Sequence, residues 1–281
     1  MSAPATLAEA RRWAIEQLAA ASPSAALDVD CLLTAATGHT ASHLRAWPEA
    51  ALAPAVWTAF RRLLQRRRAG EPIAYLLGRR AFMDFELGVT PAVLIPRPET
   101  EHLVEAALEQ PAGRILDLGT GSGCIAIALA RAWPQTPIDA VDRSAPALAL
   151  AARNASALGV GSIRFLQGDW YAPVANERFE LIVANPPYIG ADEPEPERDD
   201  ARFEPRAALR AGASGLEALH WLIDRAPSHL LDGGRLWLEH GNRQGPAVRA
   251  RLAARGFSAI ETRRDLAGHE RVTGARLEAA P

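Results

Sequence analysis

The residues of this chain that most directly suggest chemistry are Asn185-Pro186-Pro187-Tyr188. They follow Phe179-Glu180-Leu181-Ile182-Val183-Ala184, an apolar run that reads as a short buried strand. A proline fixes its own φ and has no N–H, and the residue before it is pushed toward extended geometry. The strand exit is therefore stiff. It offers carbonyl oxygens and one amide side chain, and suits a ligand that brings its own N–H donors. A plain Pro-Pro turn also accounts for these four residues, so the choice rests on what surrounds them.

A second constellation is Ile115-Leu116-Asp117-Leu118-Gly119-Thr120-Gly121-Ser122-Gly123. It reads as strand, glycine-rich turn and helix start. Glycine lets the backbone turn tightly and approach a ligand, and a helix N-terminus presents N–H groups to a carboxylate or phosphate. The spacing G-x-G-x-G is neither the dinucleotide G-x-G-x-x-G nor a P-loop. Asp142, at the end of the next strand, can accept both hydroxyls of a ribose; otherwise it caps the helix that starts near Pro146. Gly168-Asp169-Trp170 ends the third strand, where Trp170 offers a stacking face and Asp169 an acceptor for an exocyclic amine. Open α/β sheets bind ligands at the carboxyl ends of their strands, and all these residues fall there. The spacing does not separate S-adenosylmethionine from NAD.

The elements that must position these residues alternate. Strands are expected at 115–118, 138–141, 163–166, 181–184, 236–239, 257–261 and 271–277, with helices at 123–132, 145–157, 215–230 and 245–255. This order implies a mostly parallel sheet covered on both faces, with the last two strands pairing antiparallel at its edge. Before it lies a different pattern. Thr6 and Glu9 form a capping box, and Ser24 and Gly38 bound a second helix with Leu27, Cys31 and Leu32 inward. A short helical piece lies near residue 42, and Pro54 opens a helix ending at Gly70. Arg61, Arg62, Arg66, Arg67 and Arg68 form one face of that helix, which reads as solvated or as a docking face for an RNA-rich or acidic partner. The expected domains are a helical bundle over 1–80, a β-hairpin linker over 81–96 and an α/β domain over 97–281. Residues 82–95, with Gly88 and Pro91, form the hairpin, and Pro98 starts a helix. Residues 191–204, acidic and Pro-rich, read as a mobile substrate-facing loop.

Composition sets limits on these readings. The 281 residues carry a net charge of −2, with 48% hydrophobic and 23% charged residues, so phosphate is not the main target of the chain. All 31 basic residues are arginine, which removes any lysine-nucleophile mechanism. Two distant cysteines, Cys31 and Cys124, read as small buried hydrophobes in a reducing compartment, and no metal-ligand spacing occurs. No segment is long and apolar enough to span a bilayer, so the expected location is cytoplasmic.

The chain resembles the peptide chain release factor N5-glutamine methyltransferases. The resemblance runs through residues 67–78, Leu94-Ile95-Pro96-Arg97-Pro98-Glu99-Thr100-Glu101, the glycine turn, Asn185-Pro186-Pro187-Tyr188-Ile189, Glu204-Pro205-Arg206-Ala207-Ala208-Leu209, Glu239-His240-Gly241 with Gln244, and residues 264–268. It implies a class I methyltransferase fold, Rossmann-like and seven-stranded, with a small all-α N-terminal domain that contacts substrate. It implies S-adenosyl-L-methionine as cofactor and no metal. The implied substrate is the glutamine of the Gly-Gly-Gln motif in class 1 release factors, whose methylation modulates translation termination. Gly119, Thr120, Gly121, Ser122 and Gly123 would meet the methionine part of the cofactor, Asp142 the ribose, Trp170 the adenine, with Asn185 beside them. Asn185, Pro186, Pro187 and Tyr188 would hold the substrate glutamine, with Asn185, Pro186 and Tyr188 catalytic. Such an enzyme is expected to act as a monomer, without nucleic acid. Ser214 stands where the family usually has Asp, and keeps a helix-capping type. The alternatives are an adenine N6 methyltransferase on DNA or RNA, a non-catalytic partner subunit, and, more weakly supported, an NAD oxidoreductase.

Overall fold

The computed structural model describes residues 6–193 and 199–278. These fall into two compact units, residues 6–79 with 199–203 and residues 80–193 with 204–278.

The first unit is helical. α1 (Leu7–Leu18) opens on the expected capping box, with the Glu9 N–H donating to Thr6 Oγ1 at 3.3 Å and the Thr6 N–H to the Glu9 carboxylate at 3.2 Å. α2 (Ala25–Thr37) stops at Gly38, whose φ of 73° is left-handed. α3 (Ala41–Ala46), α4 (Pro54–Arg68) and α5 (Ile73–Leu77) complete the unit. Leu18, Leu32, Leu33, Phe60 and Leu64 fill its core.

Two expectations for α2 fail for one reason. Asp28, not Leu27, points inward, so Leu27 is 63% exposed and Cys31 is only half-buried. The Ser24 hydroxyl does not cap the helix but donates to Asp28 at 3.1 Å, and Ser22 donates to the same carboxylate at 2.8 Å. Arg67 Nε reaches Asp28 at 2.7 Å. Arg61, Arg62, Arg66 and Arg68 are exposed, but Arg67 is half-buried and turned onto the buried Asp28.

The second unit is a seven-stranded sheet between two helical layers. It begins with a hairpin, β1 (Arg79–Phe82) and β2 (Phe85–Gly88). The hairpin lies earlier than expected and turns at Met83-Asp84, not near Gly88 and Pro91. Met83 takes φ 52° there, a left-handed turn made without glycine, and the Asp84 carboxylate accepts from Arg131 at 2.7 Å. α6 (Pro98–Leu108) follows, with Pro98 in its first turn and Glu99 and Glu101 at its positive end.

The alternation then runs β3 (Ile115–Leu118), α7 (Cys124–Ala132), β4 (Ile138–Asp142), α8 (Ala145–Ala157), β5 (Ile163–Gln167), β6 (Phe179–Ala184), the short α9 (Arg206–Leu209), α10 (Glu217–His229), β7 (Leu230–Glu239), α11 (Gly245–Ala254), β8 (Phe257–Arg264) and β9 (Glu270–Leu277). The strand order is β5-β4-β3-β6-β7-β9-β8. The first five strands in this order are parallel, and β9 pairs antiparallel with both β7 and β8. All four residues of β3 are buried, as a central strand covered on both faces requires. Ile115, Leu181 and Val183 pack on one side with α6 and α7 residues; Leu116, Leu118 and Ile182 pack on the other with Leu222, Ile223 and Leu252. No helix among the described residues is long and apolar enough to cross a membrane.

The Asp28–Arg67 pair gives a contrast that stability measurements can check. Arg67→Ala strands a buried carboxylate and should cost about 3 kcal/mol in urea unfolding, whereas Arg62→Ala on the exposed face should stay within about 0.5 kcal/mol.

Candidate active site

The strand order reverses between β3 and β6, because β3 continues toward β4 and β5 while β6 continues toward β7. A crevice opens at the carboxyl ends of such strands. The register decides which residues meet there. Leu118 lies opposite both Ala184 and Val141. The next residues out are Gly119, Asn185 and Asp142. Asp142 in turn pairs with Gln167, which leads into Gly168-Asp169-Trp170.

These exits line a cavity of about 490 Å³, which takes in Gly119, Thr120, Gly121, Ser122, Asp142, Asp169, Trp170, Asn185 and Pro187. Gly123, Pro186 and Tyr188 do not line it. Gly123 sits behind the wall, where a Cβ would come within 3.0 Å of Ile127 and 3.1 Å of Ala151. Pro186 is buried. The Tyr188 hydroxyl donates to Glu239 Oε1 at 3.3 Å, and its carbonyl accepts from Gln244 Nε2 at 2.9 Å.

The glycine turn is organised by its own backbone and two carboxylates. Gly119 and Gly121 take φ of 76° and 56°. The N–H groups of Gly119 and Thr120 donate to the Val141 carbonyl at 2.8 and 3.0 Å. Asp142 accepts from the Gly121 N–H at 2.9 Å and the Ser144 N–H at 2.8 Å. It does not cap the next helix: Ser144 does, accepting from the Ala147 N–H. Asn154 ties the turn to the hairpin, donating to the Ser122 carbonyl at 2.9 Å and the Gly88 carbonyl at 3.0 Å while accepting from the Gly88 N–H at 2.9 Å.

Trp170 holds φ 50°, an unfavourable region for a bulky side chain. It packs over Gly119, where a Cβ would lie 3.5 Å from the indole, and against Trp221 at 6.3 Å between ring centroids. Two further walls were not singled out as site residues in the sequence. One contains Ala92, Val93, Leu94 and Pro96, the other Pro205, Ala207, Ala208 and Arg210. Glu204 joins them: its buried carboxylate accepts from the Ile95 N–H at 3.0 Å and pairs with Arg97. Of the stretch 191–204 read as a mobile substrate-facing loop, residues 194–198 lie outside the described residues and Asp199–Phe203 form a 3-10 turn. Ser214 is not the N-cap of α10, a position held by Leu216; its hydroxyl instead accepts from the Leu216 N–H at 3.2 Å.

Buried polar groups back the cavity. Asp117 Oδ2 accepts from the Thr120 hydroxyl at 2.7 Å, while its buried Oδ1 has no hydrogen-bond partner among the described residues. Burial pushes Asp117 up to about 7, against the pull of the Thr120 hydrogen bond. Burial likewise raises Glu239 to about 7, where it accepts from Thr100 Oγ1 at 2.7 Å. Cys124 is half-buried rather than core and lines the cavity, its thiol pushed up to about 12 by burial. His240 is fully buried with its ring nitrogens bonded to the Gly241 carbonyl and Thr273, and burial lowers its pKa. Thr100 and Glu239 belong to motifs that carry the family resemblance, yet only packing brings them to Asn185.

Known proteins share this architecture and much of this sequence. Residues 9–78 match the family described as PrmC N-terminal domain, and residues 98–197 that described as methyltransferase small domain. A release factor glutamine methyltransferase of Pseudomonas aeruginosa is 48% identical over 255 residues, covering 90% of this chain and 92% of that protein. One of Vibrio cholerae is 45% identical over 273 residues, covering 95% and 96%. Among solved structures, a methyltransferase from Pyrococcus furiosus shares the fold at a TM-score of 0.55 and 17% identity, over 78% of this chain and 98% of that one.

The raised carboxylates set a pH dependence of stability. A carboxyl whose pKa is higher folded than unfolded holds its proton longer in the native state, so its contribution is complete below about pH 4 and lost as pH rises through about 7. Each group adds a downward slope of up to about 1.4 kcal/mol per pH unit in that window. Urea midpoints from pH 5 to 8 should fall less steeply for Asp117→Asn than for the wild-type chain.

Proposed function

The chain belongs to the release factor glutamine methyltransferases, and on that premise we propose that it methylates the side-chain amide nitrogen, N5, of the glutamine in the Gly-Gly-Gln motif of class 1 release factors. S-adenosyl-L-methionine is the methyl donor in this reading. The observation that carries it is the register of the sheet, which sets Asn185 and Gly119 each one residue beyond the last pair, Ala184 with Leu118.

The cavity residues fit that donor. Gly119 and Gly121 hold a left-handed backbone that leaves a shallow cradle under Trp170. Gly119, Thr120, Gly121 and Ser122 would border the methionine part, with Gly123 shaping the turn from behind. Each Asp142 oxygen accepts one backbone N–H, and an oxygen with two lone pairs can accept a ribose hydroxyl as well. Trp170 and Asp169 would take the adenine. When bound, the donor supplies a methyl already activated on a sulfonium.

Orienting a weak nucleophile is then the main task of the protein. The lone pair of an amide nitrogen is delocalised into its carbonyl, but its NH₂ offers two donors. Asn185 Oδ1, on the cavity wall, is the first acceptor in this reading. The Pro186 carbonyl is the second, and since Pro186 lies behind the wall it would be reached only where the glutamine amide presses into the strand exit. They hold the nitrogen toward the methyl and stabilise positive charge as it develops there. Pro187, on the cavity wall, packs against the glutamine methylenes. Tyr188 contributes by holding the strand exit through Glu239 and Gln244.

Mass spectrometry of a class 1 release factor incubated with the protein and the donor should locate one methyl group on the Gly-Gly-Gln peptide. Transfer to adenine in a DNA or RNA oligonucleotide, with none to the release factor, overturns the reading in favour of a nucleic-acid enzyme. Asn185→Ala should lower kcat by about 10²-fold or more. Asp142→Ala should weaken donor binding by about tenfold in calorimetry, the loss expected from two ribose hydrogen bonds.

A further inference from the structure

Asn185 is held by a chain of buried side chains, the first of which, Thr100, also reaches the cavity wall. Its Nδ2 donates to Thr100 Oγ1 at 3.1 Å, and Thr100 Oγ1 donates to Glu239 Oε2 at 2.7 Å. The Tyr188 hydroxyl donates to the other oxygen, Glu239 Oε1, at 3.3 Å. Thr100 comes from the first turn of α6 and Glu239 is the last residue of β7, and each is only 1% exposed. Among the described residues, no protein group donates to Asn185 Oδ1, and Asn185 lines the cavity.

The polarity of this chain follows from one group. An ionised carboxylate only accepts, so the single hydroxyl proton of Thr100 is committed to Glu239. The Thr100 oxygen can then only accept from Asn185, which only the NH₂ end of that amide can satisfy. The carbonyl end is left for the cavity. A residue able to donate at position 239 removes the commitment. The Thr100 hydroxyl can then turn and donate to Asn185, and the amide gains by flipping. An NH₂ would then face the substrate NH₂, donor against donor.

We propose that Thr100 and Glu239 are positioning residues that fix the polarity of the Asn185 amide, so that an oxygen and not an NH₂ faces the substrate nitrogen. The proposal rests on the reading of Asn185 as acceptor for the glutamine amide. A proton on Glu239 acts as a donor would. The groups facing this carboxylate are Glu99 and Thr100 on α6, Tyr188 after β6, and Arg271 on β9; Glu99 favours the proton and Arg271 opposes it. The acid form is the inactive one, so kcat rises with pH as Glu239 ionises near neutrality.

The test uses the full chain with a release factor as substrate. Glu239→Gln, nearly isosteric, and Thr100→Val should each lower kcat by about tenfold or more while the KM for the methyl donor stays within about twofold. Thr100→Ser, which keeps the hydroxyl, should stay within about threefold of wild type, and Glu239→Gln should lose the rise of kcat across neutral pH. Wild-type kcat in both Glu239→Gln and Thr100→Val overturns the proposal. A second readout does not depend on which substrate is methylated. The chain has four asparagines, Asn154, Asn176, Asn185 and Asn242, so [¹⁵N]asparagine labelling resolves each side-chain NH₂ by NMR. The Asn185 NH₂ should exchange slowly with solvent in the wild-type chain and in Thr100→Ser, and quickly in Thr100→Val. Equal exchange in all three overturns the proposed polarity even if the release factor proves not to be the substrate.

Discussion

The parallel pairing of β3 with β6, Leu118 opposite Ala184, is the constraint on which the site depends. Side chains alternate along a strand, so a slip of one residue would turn every one of them to the opposite face. Here the slip is prevented from both sides. Ile115, Leu181 and Val183 are committed to one core layer, and Leu116, Leu118, Ile182 and Ala184 to the other. Burying each leucine, isoleucine or valine among them contributes roughly 1.5–3 kcal/mol. Apolar packing with no catalytic role therefore sets how Asn185 and Gly119 face the same cavity.

Around that pairing, buried carboxylates order backbone that packing alone would leave loose. Glu204 holds the Ile95 N–H and Arg97, joining the two walls beside the glycine turn. Asp117 takes the Thr120 hydroxyl and so holds the glycine turn. Glu239 gathers Thr100 and Tyr188. Removing a carboxylate from water is costly unless hydrogen bonds compensate, and the raised pKa of Asp117 and Glu239 shows incomplete compensation. The fold thus carries two carboxylates that destabilise it at neutral pH, Asp117 two residues before Gly119 and Glu239 bonded to Thr100 and Tyr188. Perturbed groups of this kind are common at functional sites.

Much of this was legible in the sequence because its signals are local. The central parallel strands were placed from their apolar runs, since a buried parallel strand is a short continuous block of hydrophobic residues, but β7 starts at Leu230, six residues before the strand expected at 236–239. The glycine turn and the Pro-Pro exit declared their backbone conformations through residue type. Where long-range polar contacts override a local rule, the expectations fail. Leu27 and Ser24 were read from helix periodicity and cap preference, but the inward position belongs to Asp28, which Arg67 pairs from another helix. The hairpin turn went unread because Met83 adopts a left-handed φ that its residue type does not announce. Likewise Asp142 was a candidate cap until Ser144 was seen to cap instead.

The sequence by itself determined the architecture and the materials of the site: alternating strands and helices, a flexible turn at Gly119–Gly123, a stiff exit at Asn185, a carboxylate at Asp142. Covalent geometry and hydrophobic periodicity act over a few residues, so those features are written where they occur. Only the tertiary structure decided which residues share the cavity and how they are held. It moved Tyr188 and Gly123 behind the wall, brought residues 92–96 and 205–210 in front, and joined Thr100 to Glu239 across 139 positions of chain. Those contacts depend on the order and register of the strands. Both are properties of the packed sheet as a whole, and no local stretch of the chain encodes them.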